Sequence, residues 1–464
     1  MTPEELLTRH VYSLKWEQIP SNVQDSVSTM LIDTMGVILA GLKSKECQNL
    51  LSKYCLWGGV EESSVAGSKQ LLPAPSSSFL GGVMAHWWEW DDTHDDSAVH
   101  ASAVIFPALL SAAEAAKKDK GEISGKEFLS ATVTAFDVAC QVGAMLVPHY
   151  HFGTMATGVP GHIGAAAGVA RIIGLGEDGI MSAMGIAAEQ AGLSRQPLAD
   201  RVNGKNILCG IAAAQGVQSA YAAQAGIIGS KNFLTGKFGL NAIFAEGKAD
   251  LDKGLSNLGK KFSVTEASIK PYPCCRSTHP GLDLTFDMLK EEPDLGKKVQ
   301  SVEVTSSEII KELVGSPFNP GKDPRVAAQF SIPYCQSVAL KRGKISLDDF
   351  NPVQVTSNKE ILDFAKNVTV IPIKEKIKGA TWWWPHKVKF KLNDSSVRER
   401  EVKALRGSLA RPFLPSEQQE KLEEAGKDVL SNDQLKELVN AAKNIGKNGI
   451  ASVMKIMREA KLNK

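Results

Sequence analysis

The densest concentration of proton-moving side chains lies between His86 and His100. Within those fifteen positions fall His86, His94 and His100 together with Glu89, Asp91, Asp92, Asp95 and Asp96. A solvated charged face would mix in lysine. Here Trp87, Trp88 and Trp90 interleave with the charges, and the run leads into the apolar Val104-Ile105-Phe106-Pro107 stretch. A carboxylate beside apolar surface has its pKa moved, and an imidazole next to it is held in one tautomer, which is what general acid/base chemistry requires. His100, at the start of the apolar helix and next to carboxylates such as Asp91, is the expected proton-transfer group. The bland alternative is a capped helix junction. A metal is the other: Asp92, His94, Asp96 and His100 are near enough in sequence to meet on one cation, but their spacing matches no helical ligand motif, so no metal is expected.

Two further segments carry charge into plausible cleft positions. Lys205 lies between Gly204 and Gly210, where backbone and ammonium can approach an anion, although a lone lysine is more often simply solvated. The stretch Lys270-Pro271-Tyr272-Pro273-Cys274-Cys275-Arg276-Ser277-Thr278-His279-Pro280 is held extended by its prolines. It brings Lys, Arg, His and two thiols to a change of texture in the chain, so it is either a cleft wall or a stiff linker. Cys275 with His279 could form a nucleophilic pair, but nothing in the sequence orients it. Gly174-Leu175-Gly176-Glu177-Asp178-Gly179 matches GxGxxG, yet it follows an alanine-rich helix and puts acids where pyrophosphate would lie. It reads as a helix C-cap followed by a new N-terminus.

The elements that must position these groups are mostly helical. Thr2-Pro3-Glu4-Glu5 is a capping box with proline at the first helical position; the first helix is expected to run to Pro20, and a second box follows at Ser21–Gln24. Ala165-Ala166-Ala167-Gly168 and Ala212-Ala213-Ala214 suit closely packed helices. After about residue 263 the pattern alternates, at Val302-Glu303-Val304-Thr305 and Val388-Lys389-Phe390-Lys391-Leu392, with a polar strand toward Val402. Helices are expected over 323–340 and 358–365. From Pro415 helix returns. The expected organisation is mainly α: an all-helical domain from both chain ends (1–266 with 406–464) and a smaller inserted α+β lid domain (267–405).

The 464-residue chain carries 53 Lys plus Arg against 51 Asp plus Glu, so no global field favours nucleic acid or an anionic membrane. Seven cysteines without a CxxC pair argue for a reducing compartment, and an acidic N-terminus lacks the look of a signal peptide. A cytoplasmic location is expected, and no segment is expected to reach the ~18 apolar residues of a membrane span.

Taken in order, these segments resemble the MmgE/PrpD family over essentially the whole chain. The resemblance rests on His86 to His100, Gly161-His162-Ile163-Gly164-Ala165-Ala166, Gly204-Lys205, the Lys270 to His279 loop, Phe330-Ser331-Ile332-Pro333-Tyr334 and Pro412 to Pro415. It implies a homodimer with the active site between the two domains, and 2-methylcitrate dehydratase, cis-aconitate decarboxylase or iminodisuccinate epimerase chemistry without metal or organic cofactor. Carried over residue by residue, it implies that Thr93, His100, Lys205, Lys270 and Tyr334 line the pocket. Cys275 takes a place where some members carry histidine. Glu89 stands where many carry aspartate and Met155 where many carry histidine, a gap for His151 or His94 to fill.

The expected function is a cofactor-independent lyase on a small di- or tricarboxylate. His100 with Asp91, Lys205, Cys275 and Tyr334 would be catalytic; Glu89, Thr93, His94, His151, Lys270, Arg276 and His279 would bind substrate. Loss of hydroxide, loss of carbon dioxide, or reprotonation on the other face would make it a dehydratase, a decarboxylase or an epimerase. A metal-dependent hydrolase and a non-catalytic helical binding protein are the rivals.

Overall fold

A computed structural model describes residues 1–147, 153–373 and 387–462. The first helix, Pro3–Ser13, has the expected box, with Thr2 and Glu5 each accepting the other's backbone N–H. It stops well before Pro20, and a 3-10 turn at Trp16–Gln18 fills the gap. The next helix, Ser21–Leu42, is capped by Pro20 and not by a box from Ser21, which already lies inside it. The glycines of the GxGxxG match fall as the capping account requires. Gly174 adopts φ 72° after the helix Pro160–Ile172, and Glu177 and Asp178 begin the helix Glu177–Glu189.

Helices Ala74–His86, Ala101–Lys120, Gly125–Leu146, Pro160–Ile172 and Leu208–Gln224 pack into one apolar core. Their small residues are used at crossings: a Cβ on Gly82 would come within 2.7 Å of the Gly210 backbone, so the Ala74–His86 and Leu208–Gln224 helices touch through glycine. That contact sets the start of the His86 segment beside the Lys205 segment. Two helices, Ser21–Leu42 and Gly125–Leu146, do reach the length and mean hydropathy of a membrane span, contrary to the reading of the sequence. Both are largely covered by protein, and their apolar sides are spent on this core.

The core is completed by residues from Leu422 to Ala460. Lys421, on the helix Pro415–Gly426, pairs with Asp33 Oδ1 at 2.6 Å and donates to the Trp90 carbonyl at 2.9 Å. Both chain ends therefore reach the floor of the His86–His100 segment.

A second apolar cluster lies around a four-stranded sheet in the order Val368–Ile373, Val299–Ser307, Lys387–Leu392, Val397–Glu401. The first pair is parallel and the others antiparallel. Val388, Phe390 and Leu392 point into the cluster, and the edge strand is exposed throughout, as its polar sequence predicts. The parallel strand Val368–Ile373 was not evident from the sequence. The helix expected over 323–340 is two, Pro324–Gln329 and Ile332–Arg342. Pro333 lacks the N–H to continue the first, and extended Ser331 caps the second by accepting from Tyr334 N–H. The break puts Phe330 at a bend.

Candidate active site

Between the helical core and the sheet-bearing region lies a cavity of about 180 Å³ whose wall includes Glu89, Thr93, His100, Lys205, Cys275 and Arg276. Three distant segments meet there. A two-stranded antiparallel pairing of Thr93–His94 with Ala267–Ser268 ties the His86 segment to the start of the Lys270 loop. Asn206 Nδ2 donates to the carbonyls of His86 and Trp87, at 2.9 and 3.2 Å, and Gln329 Nε2 donates to those of Trp88 and Pro273, at 2.7 and 3.1 Å. These amides partner the Trp87, Trp88 and Pro273 carbonyls, for which the irregular backbone supplies no donor, and add a second donor at His86, whose carbonyl also accepts from Glu89 N–H at 3.4 Å.

His100 is the N-cap residue of Ala101–Lys120, and its N–H donates to Thr157 Oγ1 at 3.0 Å. Its Nδ1 lies 2.8 Å from the Asp92 carbonyl oxygen and 3.3 Å from Asp91 Oδ2. A carbonyl only accepts, so Nδ1 carries a proton, and in the neutral ring Nε2 carries the lone pair. This is the tautomer of a base held from behind.

Asp91 also accepts from His86 Nδ1 at 2.8 Å. Burial works to raise the Asp91 carboxyl, but His86, His100 and Lys270 more than reverse it and hold it ionised. Burial pushes His86 down to about 3, so this second imidazole is neutral. Asp92 has the opposite fate: burial, then the charge of Asp91, push it up to about 7. Adjacent carboxyls in one segment thus differ in charge because one has cationic or N–H partners and the other has the Ser102 N–H alone for its side chain.

Glu89, in the left-handed region at φ 55°, directs its carboxylate between two ammonium groups. Lys205 Nζ is in close contact with Oε1, and Lys270 Nζ is 3.4 Å from Oε2 and 3.1 Å from the Glu89 carbonyl oxygen. Burial, then the neighbouring charge of Lys270, push Lys205 well below the usual lysine range, while its contact with Glu89 favours the charged form. Arg276 grips Asp95 through two hydrogen bonds of 3.0 and 3.1 Å. Two groups of side chains, His86 with Glu89 and His100, and His86 with Asp91 and Cys209, could meet on a metal ion. In the first, Lys205 and Lys270 already supply positive charge at Glu89.

Comparison with known proteins gives the family. Residues 5–252 match the family model of the MmgE/PrpD N-terminal domain and residues 272–445 that of the C-terminal domain. The chain belongs to the MmgE/PrpD family. A cis-aconitate decarboxylase-like protein, oryM, of Aspergillus oryzae is 25% identical, the alignment covering 95% of this chain and 94% of that protein. The cis-aconitate decarboxylase of Homo sapiens is 23% identical over 94% of this chain and 90% of its own length. That of Aspergillus terreus is 23% identical over 85% and 83%.

Of the residues expected at an MmgE/PrpD site, Glu89, Thr93, His100, Lys205, Cys275 and Arg276 are on the cavity wall. Asp91 and Lys270 are fully buried just behind it, bonded to wall residues. Three expectations are corrected. Tyr334 is buried in a separate apolar cluster with its hydroxyl on the Asp349 carbonyl. His279 is buried and its Nε2 donates to the Cys274 carbonyl at 3.0 Å. His94 is buried with Nδ1 2.8 Å from Ser97 Oγ. Each lies in a stretch where neighbouring residues face the cavity and the turn or helix directs these rings to the core. His151 lies outside the described residues. Met155 is on the wall, as its alignment with a family histidine implied. His86, Asn206 and Gln329 were missed as supporting residues. His86 had a signal, since it opens the same charged segment, whereas the two amides had none.

Proposed function

We propose that this protein is a cofactor-independent lyase, a decarboxylase or dehydratase, acting on a small di- or tricarboxylate by proton transfer at a carbon next to a carboxylate. The observation that carries the reading is His100. It is a histidine on a cavity wall with Nδ1–H fixed by the Asp92 carbonyl and Asp91, and with Nε2 left basic, in a site that also holds Lys205 and Lys270. Such a proton is weakly acidic, and removing it builds negative charge toward the carboxylate. Preorganised cations stabilise that charge by several kcal/mol in a site that excludes water. The ionised Asp91 stabilises the imidazolium that forms on His100. The names of the relatives favour decarboxylation of a cis-aconitate-like acid.

In the same reading residues 267–405 form a lid inserted in a helical domain built from 1–266 and 406–464. Its support is that Leu422–Ala460 share the core of the N-terminal helices. Exposed Leu56, Trp57, Ile228 and Phe238 support a homodimer, and seven free thiols support a reducing, cytoplasmic setting.

The test is an activity screen over citrate, 2-methylcitrate, cis-aconitate and aspartate-derived dicarboxylates in deuterated water, with and without chelator. Elimination or decarboxylation unaffected by chelation is expected. Solvent deuterium appearing in unconverted substrate without elimination, with inversion at the exchanged carbon, would make the protein an epimerase. Activity abolished by chelation and restored by a divalent ion would replace the reading with metal chemistry at His86, Glu89 and His100.

A further inference from the structure

Lys205 and Lys270 reach Glu89 from two different stretches of chain, and each stretch is tied to the Glu89 turn by one side-chain amide. Asn206, next to Lys205, donates through Nδ2 to the His86 and Trp87 carbonyls. Gln329 donates through Nε2 to the carbonyl of Trp88, the residue before Glu89, and to that of Pro273, in the Lys270 loop. Both amides are fully buried. An amide has a donor end and an acceptor end, and half a turn about its terminal bond would set oxygen against those carbonyls. The ties hold only while something fixes the oxygen ends.

One residue fixes both. Arg325, on the helix Pro324–Gln329, donates from Nη2 to Asn206 Oδ1 at 3.2 Å, and from Nη1 to Gln329 Oε1 at 3.2 Å and to the Trp87 carbonyl at 2.5 Å. A guanidinium only donates, so it matches neither amide in the reversed orientation. The arrangement is costly. Arg325 is buried and its ion pair with Asp323 is long, at 4.0 Å. A charge held away from water without a close counter-charge opposes folding. The rings of Trp87 and Trp88, with centroids 4.4 and 5.6 Å from Cζ, offset part of that cost. What the geometry uses is the planar fork, which reaches two oxygens on different stretches of chain at once.

We infer that Arg325 is a positioning residue of this site: through Asn206 and Gln329 it sets where Lys205 and Lys270 stand around Glu89. Arg325 itself is not on the cavity wall. The inference rests on the functional reading above, because it takes the two lysines as the cations that serve the reaction.

The test uses the full-length protein as Arg325→Lys, Asn206→Ala and the double variant, with melting curves as a folding control. Hydrogen exchange supplies a readout that needs no turnover. Arg325→Lys keeps the charge and loses the fork, so exchange should quicken about tenfold over both 86–93 and 270–276, as loss of a hydrogen bond to a charged group does. Asn206→Ala should quicken the first stretch alone, and the helix Gly125–Leu146 should be unchanged in both. In steady-state kinetics Arg325→Lys should lose about ten- to a hundredfold in kcat with KM within about threefold, the mark of displaced rather than missing groups. The double variant should fall no further than about threefold below the worse single one, since the two residues act in one chain. Unchanged exchange in a folded Arg325→Lys, an unchanged kcat, or losses that multiply in the double variant would each overturn the inference and leave the functional reading intact. A wild type that turns over none of the screened acids would instead sink that reading, and the exchange pattern alone would then decide whether Arg325 places the lysines.

Discussion

The segment from His86 to His100 and the loop from Lys270 to Pro280 carry similar side chains but use them differently. In the first, strained turns at Glu89 and Ala98, both with positive φ, turn Glu89, Thr93 and His100 onto the cavity wall and leave His86 and Asp91 directly behind, bonded to them. In the second, the wall takes Cys275, Arg276 and Ser277, while Tyr272, Cys274 and His279 are buried away from it. Tyr334, in the helix packed behind the loop, shares the apolar cluster of Tyr272 and Cys274. On the proposed function the first segment is the proton-transfer device with its supports attached, and the second a wall whose reactive-looking residues are mostly buried. Arg276 illustrates the contrast: it reaches the wall, but two hydrogen bonds to Asp95 occupy much of its fork.

The largest effect should come from the first segment. His100→Asn removes the proposed base while keeping a similar size, and kcat should fall about 10²–10⁴-fold with an unchanged melting temperature. Retention of more than about a tenth of kcat, a smaller loss than an acid/base group causes, would end the distinction between the two regions. Next in size is Lys205→Ala, which removes a cation beside Glu89. KM and kcat should both worsen, since an anion clamp acts on ground and transition states together. Melting should fall too, by an amount consistent with a few kcal/mol, because Glu89 is left buried with fewer partners.

A pH series on Asp92→Asn examines the first segment's electrostatics separately from its chemistry. The folded-state pKa of about 7 lies above the ordinary 3.8. The stability contributed by Asp92 is therefore fully present below about 3.8 and is lost as pH rises through about 7. The variant should gain in melting temperature relative to wild type as pH rises from about 3.8 to about 7, with the gain already under way near pH 5 and level above 7. His86 acts in the opposite sense: its contribution holds above 6.5 and is lost as pH falls toward 3. It is common to both proteins and cancels in the comparison. A difference between them that is flat with pH would mean that Asp92 is not held protonated.

The smallest change is expected behind the loop. Tyr334→Phe gives up the bond to the Asp349 carbonyl, costing about 1 kcal/mol of stability in denaturant titration and leaving kcat and KM within about twofold. A rate loss approaching that of His100→Asn would bring Tyr334 back as a catalytic residue.

Much of this was legible in the chain. The Thr2 box, the glycine at 174, the alternation of Val388, Phe390 and Leu392, and the return of helix at Pro415 are local signals, and local structure follows them. So too is the crowding of histidine and carboxylate before an apolar helix, which placed His100 at a helix start. The parallel strand Val368–Ile373 and the break at Phe330 were harder. The first depends on a partner some seventy positions away, at Val302, and the second on Ser331 capping being preferred to a helix continued into Pro333.

What the sequence determined, then, was the set of chemical groups and the elements that bear them, because periodicity, caps and proline act within a few residues. Tertiary structure decided which groups face the cavity and in what protonation state. Asp91 and Asp92 are the same side chain at adjacent positions, one held ionised and the other pushed up to about 7. The difference comes from His86, His100 and Lys270, the last nearly 180 residues away, which act on Asp91 against a burial that raises both carboxyls. Desolvation and Coulomb interaction depend on distance in space, and only the folded chain sets those distances.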